Sequence, residues 1–195
     1  MYYDMDTSDY RRLSEIAPTV TAPVGTPALG IDWKAQTTMA GLAVNKAAEA
    51  EELIARVEDQ IATVANDHPE LAGLTTNYIR HSEGSYYAYA GTDPRIRLLK
   101  SLGLVLAPEV AAMPADDYLV EVSPEMVAQL DADVLILTAE PDDRLDTLPA
   151  VRRGSYIVLD SDVEEAFSTS SVLSIPFTLD SVVPPLLEAV SKIDR

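Results

Sequence analysis

The sequence contains no cysteine. That removes disulfides, thiolate nucleophiles and cysteine-based metal sites from consideration. Histidine is almost as scarce: His68 and His81 are the only two, and they lack the spacing of a metal-ligand set. Positive charge is under-represented, with 14 Lys and Arg against 32 Asp and Glu, for a net charge of −18. No basic stripe is available to neutralise nucleic-acid phosphates or to dock on anionic lipid. No run of about 18 apolar residues occurs, so no transmembrane helix is expected. The opening Met1-Tyr2-Tyr3-Asp4 is polar and acidic, unlike a secretory signal. Gly-x-Ser-x-Gly and phosphate-loop patterns are missing. Neighbouring acids such as Asp116-Asp117 and Glu164-Glu165 read as solvated faces rather than acid–base pairs. Catalysis therefore finds little support.

What the chain has in quantity is helix-forming sequence between Trp33 and Asp67. Leu42, Ala43, Ala47, Ala50, Leu53, Ile54, Val57, Ile61 and Val64 recur at spacings of three and four, which predicts one apolar face. Asp32 is the expected N-cap and Pro69 the stop. A single helix of this length would run roughly 50 Å, long enough to be a strut between two bodies.

Residues 1–32 do not read as the start of a domain: a short helix around Asp9–Leu13 leads into a proline- and glycine-rich connection. After Pro69 the pattern changes. Leu74–Arg80 and Ser85–Ala90, rich in Thr and Tyr, predict two strands joined by a turn at 81–84. Thr92-Asp93-Pro94 and Ser123-Pro124-Glu125 each open a helix with proline in its first turn. Val120–Val122 is a short extended piece. Val134–Leu137 and Tyr156–Leu159 are apolar runs of the kind buried on both faces of a parallel sheet. A last helical region from Leu179 to Ile193 is expected to kink or restart at Pro184-Pro185. The alternation predicts an α/β fold, a three-layer lobe over 71–195 with a mostly parallel sheet, preceded by one long backbone helix over 33–67.

Several of these pieces match one pattern in order. Tyr10–Val20 (YRRLSEIAPTV) resembles the segment closing the N-terminal lobe of siderophore-type substrate-binding proteins of ABC importers. The helix after Trp33 resembles the backbone helix joining their lobes. Val122–Thr138 (VSPEMVAQLDADVLILT) and Leu148–Asp160 (LPAVRRGSYIVLD) resemble two consecutive segments of their C-terminal lobe. In that family about half the protein precedes the matching segment, so the resemblance implies an inter-lobe helix plus C-terminal lobe, with 1–32 as the end of the first lobe.

The resemblance implies an extracytoplasmic receptor, often lipid-anchored. Its expected ligand is ferric siderophore, with iron held by the chelator and no cofactor or metal site of the protein's own. Its partner is an ABC permease. Haem or cobalamin is the alternative ligand. A small α/β enzyme with an unrecognised site, or a purely structural domain, are the competing classes. Self-association of the chain through the strut and residues 1–30 is a further expectation. Family members grip anionic chelates with arginine and aromatic side chains at the cleft. By resemblance the candidates are Arg80, His81 and Tyr87 at the first hairpin, Thr138 and Arg144 after the buried strand, and Phe167 and Ser168 in a later cleft loop. Read from the residues alone, Arg80 is equally a solvated hairpin charge, and Arg144 an ion-pair partner of Asp142, Asp143 or Asp146. Glu125 matches the glutamate that meets a permease arginine; it also suits the helix dipole at that position.

Overall fold

The computed structural model describes residues 7–22, 31–82, 84–115 and 118–193. The Thr- and Tyr-rich runs form β1 (Thr75–Ser82) and β2 (Ser85–Tyr89), an antiparallel hairpin in which Ser82 pairs with Ser85. The predicted four-residue turn is thus tighter, since the strand runs on through His81 and Ser82. Gly84 sits at φ 81, the left-handed region that glycine tolerates. The further strands are β3 (Val105–Leu106), β4 (Leu119–Val122), β5 (Val134–Leu137) and β6 (Tyr156–Val158). The sheet order is β4-β2-β1-β5-β6, with β3 alongside β1. Only β2 runs against the other strands, so the sheet is mixed in pairing but nearly uniform in direction.

Alternation along the strands sends Tyr78, Tyr89, Val134, Ile136 and Ile157 into one apolar layer. That layer is covered by α3 (Ala47–Asp67), α4 (Pro94–Ser101), α7 (Ser161–Thr169) and α8 (Ser174–Val190). Ile79, Tyr86, Ala88, Leu135 and Leu137 face the other way. There α5 (Pro108–Ala112), α6 (Pro149–Arg153) and two short 3-10 helices, Pro124–Leu130 and Leu145–Thr147, close the third layer. The helix predicted after Ser123 is present over Pro124–Leu130, in the tighter 3-10 form. The last helix is continuous through Pro184-Pro185. Both prolines are solvent-exposed, so water can satisfy the carbonyls left without donors one turn earlier.

The single strut is not observed. The region divides into α2 (Trp33–Ala43) and α3, which fold back on each other as an antiparallel hairpin. Asp32 does cap α2, accepting from Ala35 N–H at 2.8 Å. The break is a Schellman stop. Asn45 adopts φ 57, Lys46 N–H donates to Gly41 C=O at 2.7 Å, and Asn45 N–H donates to Leu42 C=O at 3.2 Å. Gly41 lets the helices touch: a Cβ there would lie 2.5 Å from the Ala50 Cβ. Lys34 pairs with Glu58 at 2.7 Å across the hairpin. The predicted short helix near Tyr10 is α1 (Thr7–Ile16), exposed along its length from Ser8 onward.

Candidate ligand cleft

The β1–β2 register sets Arg80 opposite Tyr87. The Arg80 guanidinium lies over the Tyr87 ring, 5.1 Å from its centroid, close enough for a cation–π attraction. Arg80 Nε is buried without a hydrogen-bond partner, although the residue as a whole is only half-buried. Two residues further along each strand on the same face, Tyr78 and Tyr89 meet edge to face at 5.0 Å.

Beside them the start of α4 carries a buried ion pair. Asp93 caps the helix through Arg95 N–H at 2.8 Å. Arg95 Nε and Nη2 donate to its two carboxylate oxygens, each at 2.8 Å. The Arg95 guanidinium is stacked 3.6 Å from the Tyr89 ring centroid. Burial alone would lower the Arg95 pKa, but the bonds and charge of Asp93 outweigh it and raise it. Arg80, Tyr89, Arg95, Tyr118 and Leu119 form one wall of a cavity of about 470 Å³. Ser161, Glu164, Glu165, Ser168 and Thr169 of α7 form the other. Burial pushes the Tyr78 and Tyr89 phenols up; Arg95 opposes this, and the Glu164 carboxylate adds to it.

On the opposite face, His81 stacks on Tyr86 at 4.7 Å, and Tyr86 OH donates to Asp142 Oδ2 at 2.6 Å. His81 Nε2 lies 3.6 Å from the same oxygen. Asp142 Oδ1 accepts from Arg144 N–H and Leu145 N–H at 3.1 and 2.9 Å. Desolvation would raise the Asp142 pKa, but the hydrogen bonds from Tyr86, Leu145 and Arg144 hold it below the usual carboxylate value. Burial and the Asp142 carboxylate push the Tyr86 phenol up to about 12.

Among the predicted site residues, Arg80 and Tyr87 meet on one sheet face, and Arg80 and Ser168 line the same cavity. His81 lies on the other face, tied to the Asp142 loop. Thr138 follows β5 directly, its N–H donating to Ile79 C=O at 3.2 Å. The position of Phe167 needs correction. It is 1% exposed and packs on Tyr78 at 5.5 Å, a core residue within α7 rather than a cleft-loop contact. Arg144 is exposed and makes no side-chain ion pair with its aspartate neighbours among the described residues; its charge instead helps lower the Glu125 pKa. Glu125 is exposed at the second position of its 3-10 helix, its carboxyl lowered first by its own backbone N–H and then by Ser123. Sequence reasoning missed Tyr89, Arg95, Tyr118 and Glu164. Tyr89 was within reach, since it shares the strand face of Tyr87.

Residues 1–163 match the family profile described as periplasmic binding protein. The chain belongs to the periplasmic binding protein family. A periplasmic solute-binding protein from Mycobacterium smegmatis is similar, with 32% identity and a TM-score of 0.78 over 95% of this chain and 66% of that one. PiaA of Streptococcus pneumoniae in complex with ferrichrome gives 25% identity and a TM-score of 0.79, over 99% of this chain and 69% of that one. FhuD2 of Staphylococcus aureus with bound ferrioxamine B shares the fold at 18% identity and a TM-score of 0.76, covering 97% and 75%. No curated protein matches the chain in sequence. Periplasmic binding proteins serve transport from outside the cytoplasm, and among the described residues no helix is long and apolar enough to cross a membrane.

Proposed function

We propose that the chain is a solute-binding component of an ABC importer that captures a ferric siderophore and delivers it to the permease. The observation that carries this is Arg80. A guanidinium held over an aromatic ring, with a buried donor left unpaired, borders a cavity of ligand size. Such a fork suits the oxygen-rich surface of an iron chelate, and the half-buried Tyr87 beside it supplies an aromatic surface for its carbon frame. The iron is cargo, enclosed by the chelator's own oxygens. PiaA, with ferrichrome bound, supports the same assignment through its similarity in fold and sequence. Glu125, outside this cavity, is the docking residue of this reading. Opposite a permease arginine it would form a charge-assisted pair.

The test separates the two surfaces. Arg80→Gln is expected to lower chelate affinity in calorimetric titration of the receptor by tenfold or more. Glu125→Ala is expected to preserve that affinity while lowering chelate-dependent ATPase stimulation of the reconstituted permease by a similar factor. Unchanged binding by Arg80→Gln overturns the cleft assignment. A parallel loss of binding and stimulation in Glu125→Ala overturns the docking assignment.

A further inference from the structure

We propose that Arg144 is a second anchor of the permease-docking face, and that the permease meets it with a carboxylate next to the arginine that meets Glu125. This inference rests on the reading that the chain docks on an ABC permease through Glu125. It adds a residue of opposite sign and fixes the charge pattern of the partner.

Arg144 is exposed and lies outside the lining of the cleft cavity. Asp142, Asp143 and Asp146 are its neighbours in sequence, yet its side chain makes no ion pair among the described residues. Asp142 is engaged elsewhere. Its Oδ1 accepts from the backbone N–H groups of Arg144 and Leu145, and its Oδ2 from Tyr86 OH. The backbone that carries Arg144 is thus pinned to the sheet while the guanidinium stays available. The same contacts bring this loop towards Glu125. Tyr86 lies opposite Val122, the last residue of β4, and Glu125 follows three residues later. The Arg144 charge reaches Glu125, whose carboxyl it helps to lower. Val127 and Leu130 turn inward, so Glu125 and Met126 occupy the two outward ridges of the 3-10 helix, and Met126 is 43% exposed. One exposed patch therefore presents a carboxylate, a guanidinium and an apolar side chain.

The cation decides what the partner must carry. A permease surface with an arginine alone would be attracted by Glu125 and repelled by Arg144, and like charges brought together at an interface weaken it. A surface with an arginine and a neighbouring carboxylate satisfies both side chains in one orientation. In the reversed orientation it meets like charge at both points, so the pair also sets the direction of docking. The guanidinium fork suits such a carboxylate, which it can hold through two N–H groups. Met126, flexible and apolar, adds a contact that adapts to the surface beside the two pairs.

The sign of one substitution tests this. Binding of the chain to its ABC permease in lipid nanodiscs is measured by biolayer interferometry without chelate, so that the cleft plays no part. Arg144→Gln removes the cation and is expected to weaken docking at least threefold; Arg144→Glu is expected to weaken it at least tenfold. Arg56→Glu, at an exposed position of α3, changes the net charge by the same amount as Arg144→Glu and is expected to leave docking unchanged. Thermal melts confirm that each variant is folded, and Arg144→Gln carries the test should Arg144→Glu disturb the fold. Glu125→Ala is measured in parallel. If Glu125→Ala weakens docking while Arg144→Gln leaves it unchanged or strengthens it, the second anchor is overturned and the Glu125 reading stands. If Arg56→Glu weakens docking as much as Arg144→Glu, the effect belongs to net charge, and the anchor is again overturned. If neither Glu125→Ala nor the Arg144 variants weaken docking, the docking reading falls, and the second anchor with it.

Discussion

Tyr86 holds the loop after β5 by a single hydroxyl. Its bond to Asp142 is charge-assisted, but the carboxylate is one-third exposed, which places its worth near the low end for such bonds. Tyr86→Phe is expected to cost about 1 kcal/mol in urea denaturation at pH 7. Asp142 has a native pKa below its unfolded value of about 3.9. Its contribution is therefore present above that value and is lost as pH falls through the lower native one. The difference between wild type and Tyr86→Phe should shrink as pH drops below about 4; a gap that stays constant down to pH 2 would contradict this. At this scale the residues alone left Arg80 open between a solvated hairpin charge and a cleft contact, and only the resemblance pointed to the cavity it lines. Phe167 was not legible either, since a phenylalanine beside a polar serine reads alike as cleft lining or as core, and only the packing of α7 on Tyr78 distinguishes them. Arg95 was hidden by its dependence on Tyr89, which the helix pattern around it does not encode.

Among the elements, the α2–α3 hairpin departs most from expectation. Apolar spacing of three and four continues on both sides of Asn45, and no proline marks the break, so local propensity favours one helix. What decides against it is tertiary: Gly41 against Ala50, and the carbonyls of the last α2 turn captured by Asn45 and Lys46 N–H. Gly41→Ala, which would strengthen an isolated helix by about 1 kcal/mol, is expected instead to destabilise the protein by about 1–3 kcal/mol through overpacking. Circular-dichroism melts decide between the two signs. Asn45→Gly should leave the melt unchanged or raise it slightly, because φ 57 suits glycine. Asn45→Val should lower it clearly, since a β-branched side chain resists that conformation. The strands were easier to read: Val134–Leu137 is buried at every position, as a central parallel strand must be. The 3-10 form of 124–130 was not, because proline at the first position starts either kind of helix.

The whole molecule is governed by its charge. With 32 acids against 14 bases, like-charge repulsion opposes the compact state. Sodium chloride raised from near zero to about 0.3 M shortens the Debye length to about 6 Å and is expected to raise the thermal midpoint by a few degrees. A flat or falling midpoint in a salt series would show that local pairs such as Lys34–Glu58 outweigh the global repulsion. The three-layer lobe was legible because strand and helix patterns alternate with clear punctuation. The direction of the chain entering it was not, because that is set by a three-residue stop. The hairpin has a mechanical consequence. A straight helix from 33 to 67 would place Trp33 about 50 Å from the Asp67 end. Folded back, the start of α2 lies beside Glu58, nine residues or about 14 Å from that end. Whatever pulls on the segment before Asp32 therefore acts on α3 through a short lever arm, close to the lobe. A load that would have bent a long rod is delivered as a small torque against a braced joint.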